Sequence, residues 1–203
     1  MRVSIFVFCF LVFTSSAVNA QKKGLDITSN IEARVLGMKA LGNNMLAKDM
    51  GVFYGFGLGG QLMTPKNFGI GIDYNMMYSD VKPERKNLVG ELGSQSLTNI
   101  DLIFIHKTKF SEDFYLEKSG GFSFYRLKSY LHPSKEQYTE GKGGFNLALK
   151  GVFTVDYEGY QQFVLGIKGN AYFSGVTNEN NAVEKYYRHS YLVGLTFAYR
   201  YNF

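Results

Sequence analysis

The sequence predicts an all-β fold, an eight-stranded antiparallel up-and-down transmembrane β-barrel. Three observations support this prediction: apolar and polar residues alternate with a period of two, the connections between the alternating segments differ regularly in length, and an apolar leader comes first. The chain has 203 residues, of which 45% are hydrophobic and 19% charged. This composition suits one domain with a core and excludes disordered and collagen-like chains.

The start of the chain has the features of a secretory signal peptide. An apolar run from Val3 to Phe13 is followed by small and polar residues up to Ala20. The run is too short to cross a bilayer, which takes about 20 apolar residues. We therefore expect residues 1–20 to be a cleaved signal peptide and residues 21–203 to form one barrel domain. Cys9, the single cysteine, lies in the leader, so no disulfide is expected in the barrel.

The last predicted strand shows the alternation most clearly. Its other face is mostly small or polar, with Gly194, Thr196 and Arg200 among its residues. Six other segments alternate in the same way, namely 25–35, 51–62, 68–79, 99–104, 144–155 and 163–174. Successive side chains of a strand point to opposite faces, so each segment is predicted to be a strand. The apolar face of the last strand consists of Tyr191, Val193, Leu195, Phe197, Tyr199, Tyr201 and Phe203.

An eighth strand between Gly120 and Tyr130 completes the count, but its register stays open. Phe122 and Phe124 share one face, and a continued alternation places Arg126 on that face as well. A β-bulge near Ser119–Gly121 would reset the alternation, since glycine commonly occupies such kinks. The sequence does not decide between these two registers.

The connections between the predicted strands alternate in length. Three are short, namely 64–67, 109–113 and 156–161, and four are longer and polar, namely 40–48, 80–93, 131–142 and 176–188. If both termini lie at one end of a meander, all short turns lie at that end and all long loops at the other. This is the layout of transmembrane β-barrels. In hydrocarbon no water satisfies an open strand edge, so such a sheet must close on itself.

The smaller, more polar face of each strand is predicted to line the interior. An eight-stranded barrel is just wide enough for side chains to fill it, so we expect small and polar residues inside and no open pore. Charges buried there need partners of opposite sign. We expect a polar network in the lumen formed by Glu32, Arg34, Asp73, Asp101, Lys150, Lys168 and Arg200.

Aromatic residues are expected in two girdles, one at each edge of the apolar belt. The girdle nearer the termini would consist of Phe68, Tyr160, Phe163, Tyr199, Tyr201 and Phe203. The opposite girdle would include Tyr54, Tyr78, Phe145, Phe173, Tyr191 and Tyr172, although Tyr172 falls on the inward phase.

The end of the sequence carries the most specific signal, since Phe203 follows Tyr201, Tyr199 and Phe197 at alternate positions. Together with the leader and the strand pattern, this end makes the chain similar to the small bacterial outer-membrane β-barrels of the OmpA membrane-domain and OmpX type. The resemblance implies that these four residues are read by the barrel assembly machinery. It also implies a monomer in the outer membrane, with long loops extracellular, termini periplasmic, and outer-membrane lipids and lipopolysaccharide as partners.

The resemblance favours a structural or surface-interaction role of adhesion type, without an enzymatic activity. The sequence contains no motif for a cofactor, a metal or a nucleic acid. Cations in the long loops, at Lys82–Lys86, Lys135 and Lys142, would attract phosphates of lipopolysaccharide or another anionic ligand, or would simply be solvated. A role as an accessory to protein secretion is equally compatible with the pattern.

Two further alternatives stay open at this point. His132, Ser134 and Glu136 carry the groups of an acyl-transfer site, as in an outer-membrane lipid A deacylase, but Pro133 interrupts the strand that would align them. A soluble lipocalin-like barrel would show the same alternation with its apolar face inside, because alternation alone does not say which face is interior.

Overall fold

The structure, a computed structural model, is an eight-stranded antiparallel barrel and describes residues 27–89, 92–131, 137–175, 177 and 179–203. The predicted leader, residues 1–20, lies outside these residues. Each strand pairs with its neighbours in chain order, and β8 pairs with β1 to close the barrel. This confirms the predicted fold class. The strands are β1 (Thr28–Leu41), β2 (Val52–Met63), β3 (Phe68–Ser79), β4 (Leu92–Lys109), β5 (Phe114–Leu131), β6 (Gln137–Thr154), β7 (Gln161–Phe173) and β8 (His189–Asn202).

Short turns and long connections lie at opposite ends of the barrel. The terminal end carries the short turns 64–67, 110–113 and 155–160. The loop end carries α1 (Met45–Asp49), a 3-10 turn (Pro83–Arg85) followed by α2 (Lys86–Val89), and α3 (Asn181–Arg188). No helix among the described residues is long and apolar enough to cross a membrane.

The predicted long loop 131–142 is too long, because β6 already begins at Gln137. The segment from Gln137 to Lys142 is polar on both of its faces, so it carries no alternation from which a strand could be predicted. Its pairing with β5 continues to Tyr130, opposite Gln137. The length of this connection is therefore set by strand pairing and not by hydrophobic pattern.

The register of β5 is continuous, so the bulge near Ser119–Gly121 is wrong. Residues 115–129 of β5 pair without interruption with both neighbours, and the one shift against β4 lies between Leu92 and Gln95. Arg126 therefore points outward on the same face as Phe124. The long aliphatic stem of an arginine at the edge of an apolar belt covers apolar surface while its charge stays in a polar layer.

The exterior of the barrel is apolar. Phe104, Leu147 and Leu195 are among its bulky outward side chains, with exposed fractions of 64%, 71% and 64%. A water-soluble barrel would bury these residues, so the lipocalin-like alternative is wrong. All six residues of the predicted terminal girdle are exposed on this surface. Tyr172, in contrast, is buried in the lumen, as its inward phase requires.

Candidate functional site

The lumen contains all seven charged residues that the alternation places inside. Each is at most 4% exposed. They come from six different strands, and small residues next to them in the lumen leave room for their long side chains. A Cβ at Gly59 would collide with the Arg34 guanidinium and the Asp73 carboxylate, so a larger residue at this position would displace them. The seven residues are Glu32, Arg34, Asp73, Asp101, Lys150, Lys168 and Arg200.

Glu32 is the centre of one part of this ionic network. Its carboxylate accepts from Arg200 Nη2 at 2.6 Å, lies 3.0 Å from Arg34 Nε and lies 3.2 Å from Lys150 Nζ. Arg34 also pairs with Asp73 and so links Glu32 to the middle of the barrel. Five side chains from four strands, β1, β3, β6 and β8, are thus held by one another across the lumen.

Asp101 is the centre of the other part. It accepts from Lys168 Nζ at 2.5 Å, from Asn99 Nδ2 at 2.7 Å and from Asn75 Nδ2 at 3.3 Å. Ser123 Oγ donates to the same carboxylate at 2.5 Å. A buried carboxylate with this many donors has its desolvation offset by direct bonds, and it fixes the side chains around it.

Two lumen residues were missed at the level of sequence. Glu117 on β5 is fully buried, and it accepts from Arg200 Nη1 at 2.8 Å and from Gln61 Nε2 at 3.1 Å. Lys107 on β4 lies 3.9 Å from Glu117. The unresolved phase of β5 hid Glu117, since only a continuous register through Ser119–Gly121 places it inside. The two residues lie directly opposite each other across the short turn between β4 and β5. This opposition of a lysine and a glutamate is the sequence signal that could have placed both side chains in the lumen.

The half of the lumen nearer the loop end is mainly apolar, which corrects the expectation of small and polar residues inside, although Gln95 and Ser129 are buried there too and bond to each other at 3.0 Å. Met38, Phe53, Met77, Leu97 and Leu192 are fully buried there and belong to one hydrophobic cluster. We call this cluster, with Leu36, Ala40 and Leu127, the apolar plug. The plug residues face inward on the observed register. The same inward rows therefore carry charged residues nearer the terminal end and methionine and leucine nearer the loop end.

Helix α1 closes the plug from the loop end. Its Leu46 and the following Met50 join the hydrophobic cluster. The Asn44 side chain caps the helix by accepting from the Ala47 amide at 2.9 Å. Met50 also forms an isolated bridge with Val81 of the next connection. The first loop therefore folds back into the barrel mouth and fills it.

Asp49 ties three connections at the loop end to one another. It lies 2.9 Å from Arg85 Nε of the second connection and accepts from the Tyr186 hydroxyl of α3, also at 2.9 Å. Burial and this hydrogen bond raise the pKa of Tyr186 to about 12, while the bond to Asp49 raises the pKa of Arg85. The Tyr186 hydroxyl and the Arg85 guanidinium therefore both keep the protons that they donate to Asp49 at neutral pH. The loop end is thus cross-linked by side chains.

Two of the predicted loop cations are engaged in contacts between connections. Lys82 Nζ donates to the Ala47 carbonyl at 2.7 Å, and Arg85 is paired with Asp49, so both hold connections together. Lys135 lies outside the described residues. The strand position of Lys142 is described, but its side chain is not.

The alternative catalytic group falls on undescribed residues. His132, Ser134 and Glu136 all lie in 132–136, outside the described part of the chain. Within the described ranges, no three His, Cys, Asp or Glu residues are grouped as metal ligands. The described geometry offers a filled lumen and a cross-linked loop end.

The four residues of the predicted assembly signal continue the outward face of β8 to the residue that follows it, Phe203. Phe197, Tyr199, Tyr201 and Phe203 are all exposed there, and Phe163 of β7 stacks on Phe197 with ring centroids 5.8 Å apart. The Phe203 amide donates to the Ser29 carbonyl at 2.9 Å, which fastens the end of β8 to β1. The row therefore lies at the seam that closes the barrel.

Comparison with known proteins gives structural matches but no sequence matches. No family model matches the chain. No curated protein matches it in sequence. Among solved structures, Neisserial surface protein A aligns with 86% of this chain and 97% of its own, with a TM-score of 0.60 and 14% identity. OprG of Pseudomonas aeruginosa aligns with 88% of this chain and 97% of its own, at TM-score 0.59 and 9% identity.

A third similar structure is Ail, the attachment invasion locus protein of Yersinia pestis, in complex with the heparin analogue sucrose octasulfate. It aligns with 88% of this chain and 100% of its own, with a TM-score of 0.56 and 9% identity. These matches span nearly the whole of each relative, so the likeness is to complete barrels and not to a fragment. The chain therefore has the fold of the small eight-stranded outer-membrane β-barrels.

Proposed function

We propose that this chain is an integral bacterial outer-membrane protein that serves as a closed scaffold for surface interactions. The observation that carries the proposal is the pairing of an apolar exterior with a filled lumen. Outward residues such as Phe104 and Leu147 need hydrocarbon around them, while Arg200 and Phe53, both 0% exposed, occupy the interior. A barrel filled in this way supports binding at its ends better than transport through its centre.

The loop end is the surface that we assign to interactions. The Asp49 contacts to Arg85 and Tyr186 hold three connections in one arrangement, and a rigid surface loses little conformational freedom on binding. The names of two structural relatives, a neisserial surface protein and an attachment protein crystallised with a sulfated sugar, support a surface role of adhesion type. A role in catalysis or secretion has no described residue in its favour.

In this proposal the loop end is extracellular and the termini are periplasmic. Residues 1–20 direct export, and Phe203 with the aromatic residues before it serves the barrel assembly machinery. The protein is a monomer among outer-membrane lipids and lipopolysaccharide. The seam between β8 and β1, fastened at Phe203, is where a barrel built strand by strand closes last.

Single cysteines test the orientation. We expect a membrane-impermeant maleimide to label Val183→Cys in α3 on intact cells, and to label Lys66→Cys in the turn 64–67 only after the cells are permeabilised. Both positions are exposed, so access alone decides the result. Labelling in the reverse order would overturn the assigned orientation.

Planar bilayers test the closed lumen. The purified barrel is expected to add no ionic conductance, whereas an open eight-stranded channel would give discrete steps. Extraction from membranes only with detergent is expected in the same preparation. Stable conductance steps would contradict the scaffold, and release into buffer without detergent would contradict the membrane location.

A further inference from the structure

A cavity of about 520 Å³ lies at the loop end, beside the start of β8. Its walls are the turn 42–44 after β1, one face of α3, and the first residues of β8. Tyr191, on the outward row of β8, is part of the lining, so the cavity opens at the side of the barrel. It is partly open to its surroundings, and its volume falls in the range of sites that hold a small ligand.

The helix α3 presents one polar face to this cavity. Asn181, Glu184, Lys185 and Arg188 all line it, and their spacing places them on the same side of a helix. Tyr186 points away from this face and bonds to Asp49. That bond fixes the rotation of α3, so the polar face is oriented toward the cavity before any ligand arrives.

The charge of this face is positive overall. Arg188 Nη1 pairs with Glu184 Oε1 at 2.7 Å, which uses one corner of the guanidinium group. Lys185 has no ion pair among the described residues, and its side chain is exposed. One lysine and one arginine therefore face a single carboxylate. A guanidinium and an ammonium at this distance along a helix are well matched to a phosphate group.

The remaining lining is suited to a sugar. Asn43 and Asn181 offer amide groups that both donate to and accept from hydroxyls. Tyr191 offers an aromatic ring with a polar tip at the edge of the apolar belt. Taken with the cations, this lining discriminates in favour of a ligand that carries both hydroxyls and negative charge.

We infer that this cavity binds a phosphorylated sugar, held by Arg188 and Lys185 through its phosphate and by Asn43 and Asn181 through its hydroxyls. Its source is either the headgroup of lipopolysaccharide in the surrounding leaflet or a soluble sugar phosphate. The lipid source rests on the proposed extracellular position of the loop end, whereas binding of a soluble sugar does not.

Titration of the purified full barrel with glucosamine 1-phosphate tests the inference. Dimethyldodecylamine oxide micelles are suitable, since this detergent contains neither phosphate nor sugar, and the ³¹P line of the probe reports binding. We expect saturable broadening of this line with glucosamine 1-phosphate. The uncharged sugar N-acetylglucosamine has no phosphorus, so its binding is measured by calorimetry, and we expect no saturable binding of it. Absence of binding, or equal binding of the uncharged sugar, would overturn the inference whatever the orientation of the barrel.

Three substitutions locate the site. Arg188→Gln and Lys185→Gln are each expected to weaken binding about tenfold, since each removes a charge-assisted contact. Lys86→Gln, which removes an exposed cation of α2 outside the cavity, is the matched control and should leave affinity unchanged. Equal losses in all three would mean non-specific attraction to a basic surface and would refute the cavity. Lys185→Gln breaks no ion pair of α3 among the described residues, so it remains informative if Arg188→Gln loosens the helix.

Vesicles separate the two sources. Barrels in phosphatidylcholine vesicles with and without lipopolysaccharide are titrated with the same soluble probe. If lipopolysaccharide blocks the probe and the same lipopolysaccharide with its phosphates removed does not, the lipid headgroup is the ligand. If the probe binds equally in both, the ligand is the soluble sugar phosphate. Either result supports the cavity, and the labelling experiment on intact cells decides separately on orientation.

Discussion

The two halves of the lumen fill the same cross-section with opposite chemistry. Nearer the terminal end, Arg200 contacts Glu32 and Glu117 in a network of ion pairs, which two small apolar clusters accompany, one of Met63, Ile103 and Ile105 and one of Val152, Val164 and Ala198. Near the loop end, Phe53 and Leu97 occupy it with hydrocarbon. The difference teaches that an inward strand position need not be polar. An inward residue must instead fit the residues that it meets across the lumen, mainly by opposite charge in one half and mainly by volume in the other.

The two halves should therefore fail in different ways. In the ionic half, one missing group leaves buried charges without partners, which costs more than the lost bond itself. In the apolar half, a missing group leaves a cavity whose cost depends on its volume. Four substitutions test this contrast, and the free energy of unfolding in lipid vesicles is the common measurement. The chain has no tryptophan, so urea unfolding is followed by the gel mobility of unheated samples.

The largest effect is expected for Arg200→Met. This change keeps much of the volume and removes from Glu32 and from Glu117 the partner that each carboxylate holds at the shortest distance, so it should lower the free energy of unfolding by about 3–5 kcal/mol. Arg188→Met is the control, because the Arg188 side chain is 53% exposed and surface pairs contribute about 1 kcal/mol or less. Equal losses in the two variants would show that the buried network has no special cost when broken.

Leu97→Ala in the apolar plug comes next. Leu97 is 0% exposed, and its truncation should cost about 2–4 kcal/mol. Leu97→Met, which keeps the volume, should cost less than about 1.5 kcal/mol. Leu195→Ala on the outer surface is the second control, since lipid fills the space that it leaves. If Leu97→Ala cost no more than Leu195→Ala, the plug would not be packed.

Gly59→Ala should cost about 1–3 kcal/mol through overpacking. Its new methyl group would meet Arg34 and Asp73, both buried in the network. Gly37→Ala on β1 is the matched control, because nothing lies within 4 Å of a Cβ at that glycine. If Gly59→Ala and Gly37→Ala unfold at the same urea concentration, the ionic network accommodates an added methyl group without a loss of stability.

The smallest effect has the opposite sign. The Tyr172 hydroxyl is buried at the edge of the plug and has no hydrogen-bond partner among the described residues. Tyr172→Phe should therefore raise the free energy of unfolding by about 1 kcal/mol. Tyr54→Phe, on the exposed outer row, should change nothing. A loss of stability in Tyr172→Phe would indicate that the hydroxyl has a water partner in the lumen.

Much of the fold follows from the sequence because the exterior is chemically uniform. Every strand needs a bulky apolar row toward lipid, and the row of β8 from Tyr191 to Phe203 is visible without any other information. The same row fixes the inward phase, and Arg200 and its six predicted companions lie on it. Strand ends outside the apolar belt, such as Gln137 on β6, carry no such row and were not predicted.

The sequence predicts the chemistry of the barrel interior only in part. Alternation identified which residues face inward, but Glu117 was lost where Lys118 and Arg126 obscured the outward row of β5. The choice between charge and hydrocarbon at a given height depends on which residues meet across the lumen. That requires the register of all eight strands. Contacts between connections, such as Asp49 with Tyr186 across 137 positions of sequence, leave no local pattern at all.

The unequal strand lengths give the barrel an uneven rim. Gly143 is the residue of β6 nearest the loop end that pairs with β7, where its partner is Phe173. β6 continues for six residues beyond Gly143 toward the loop end, and β5 pairs with it there. At about 3.4 Å per residue, this hairpin rises roughly 20 Å past its neighbour, measured along the strands. The rim of the loop end is therefore high at β5 and β6 and lower where β7 and β8 end. With this end extracellular, as proposed, a large molecule comes nearer to the outer surface of the membrane on the side of β7 and β8 than on the side of β5 and β6.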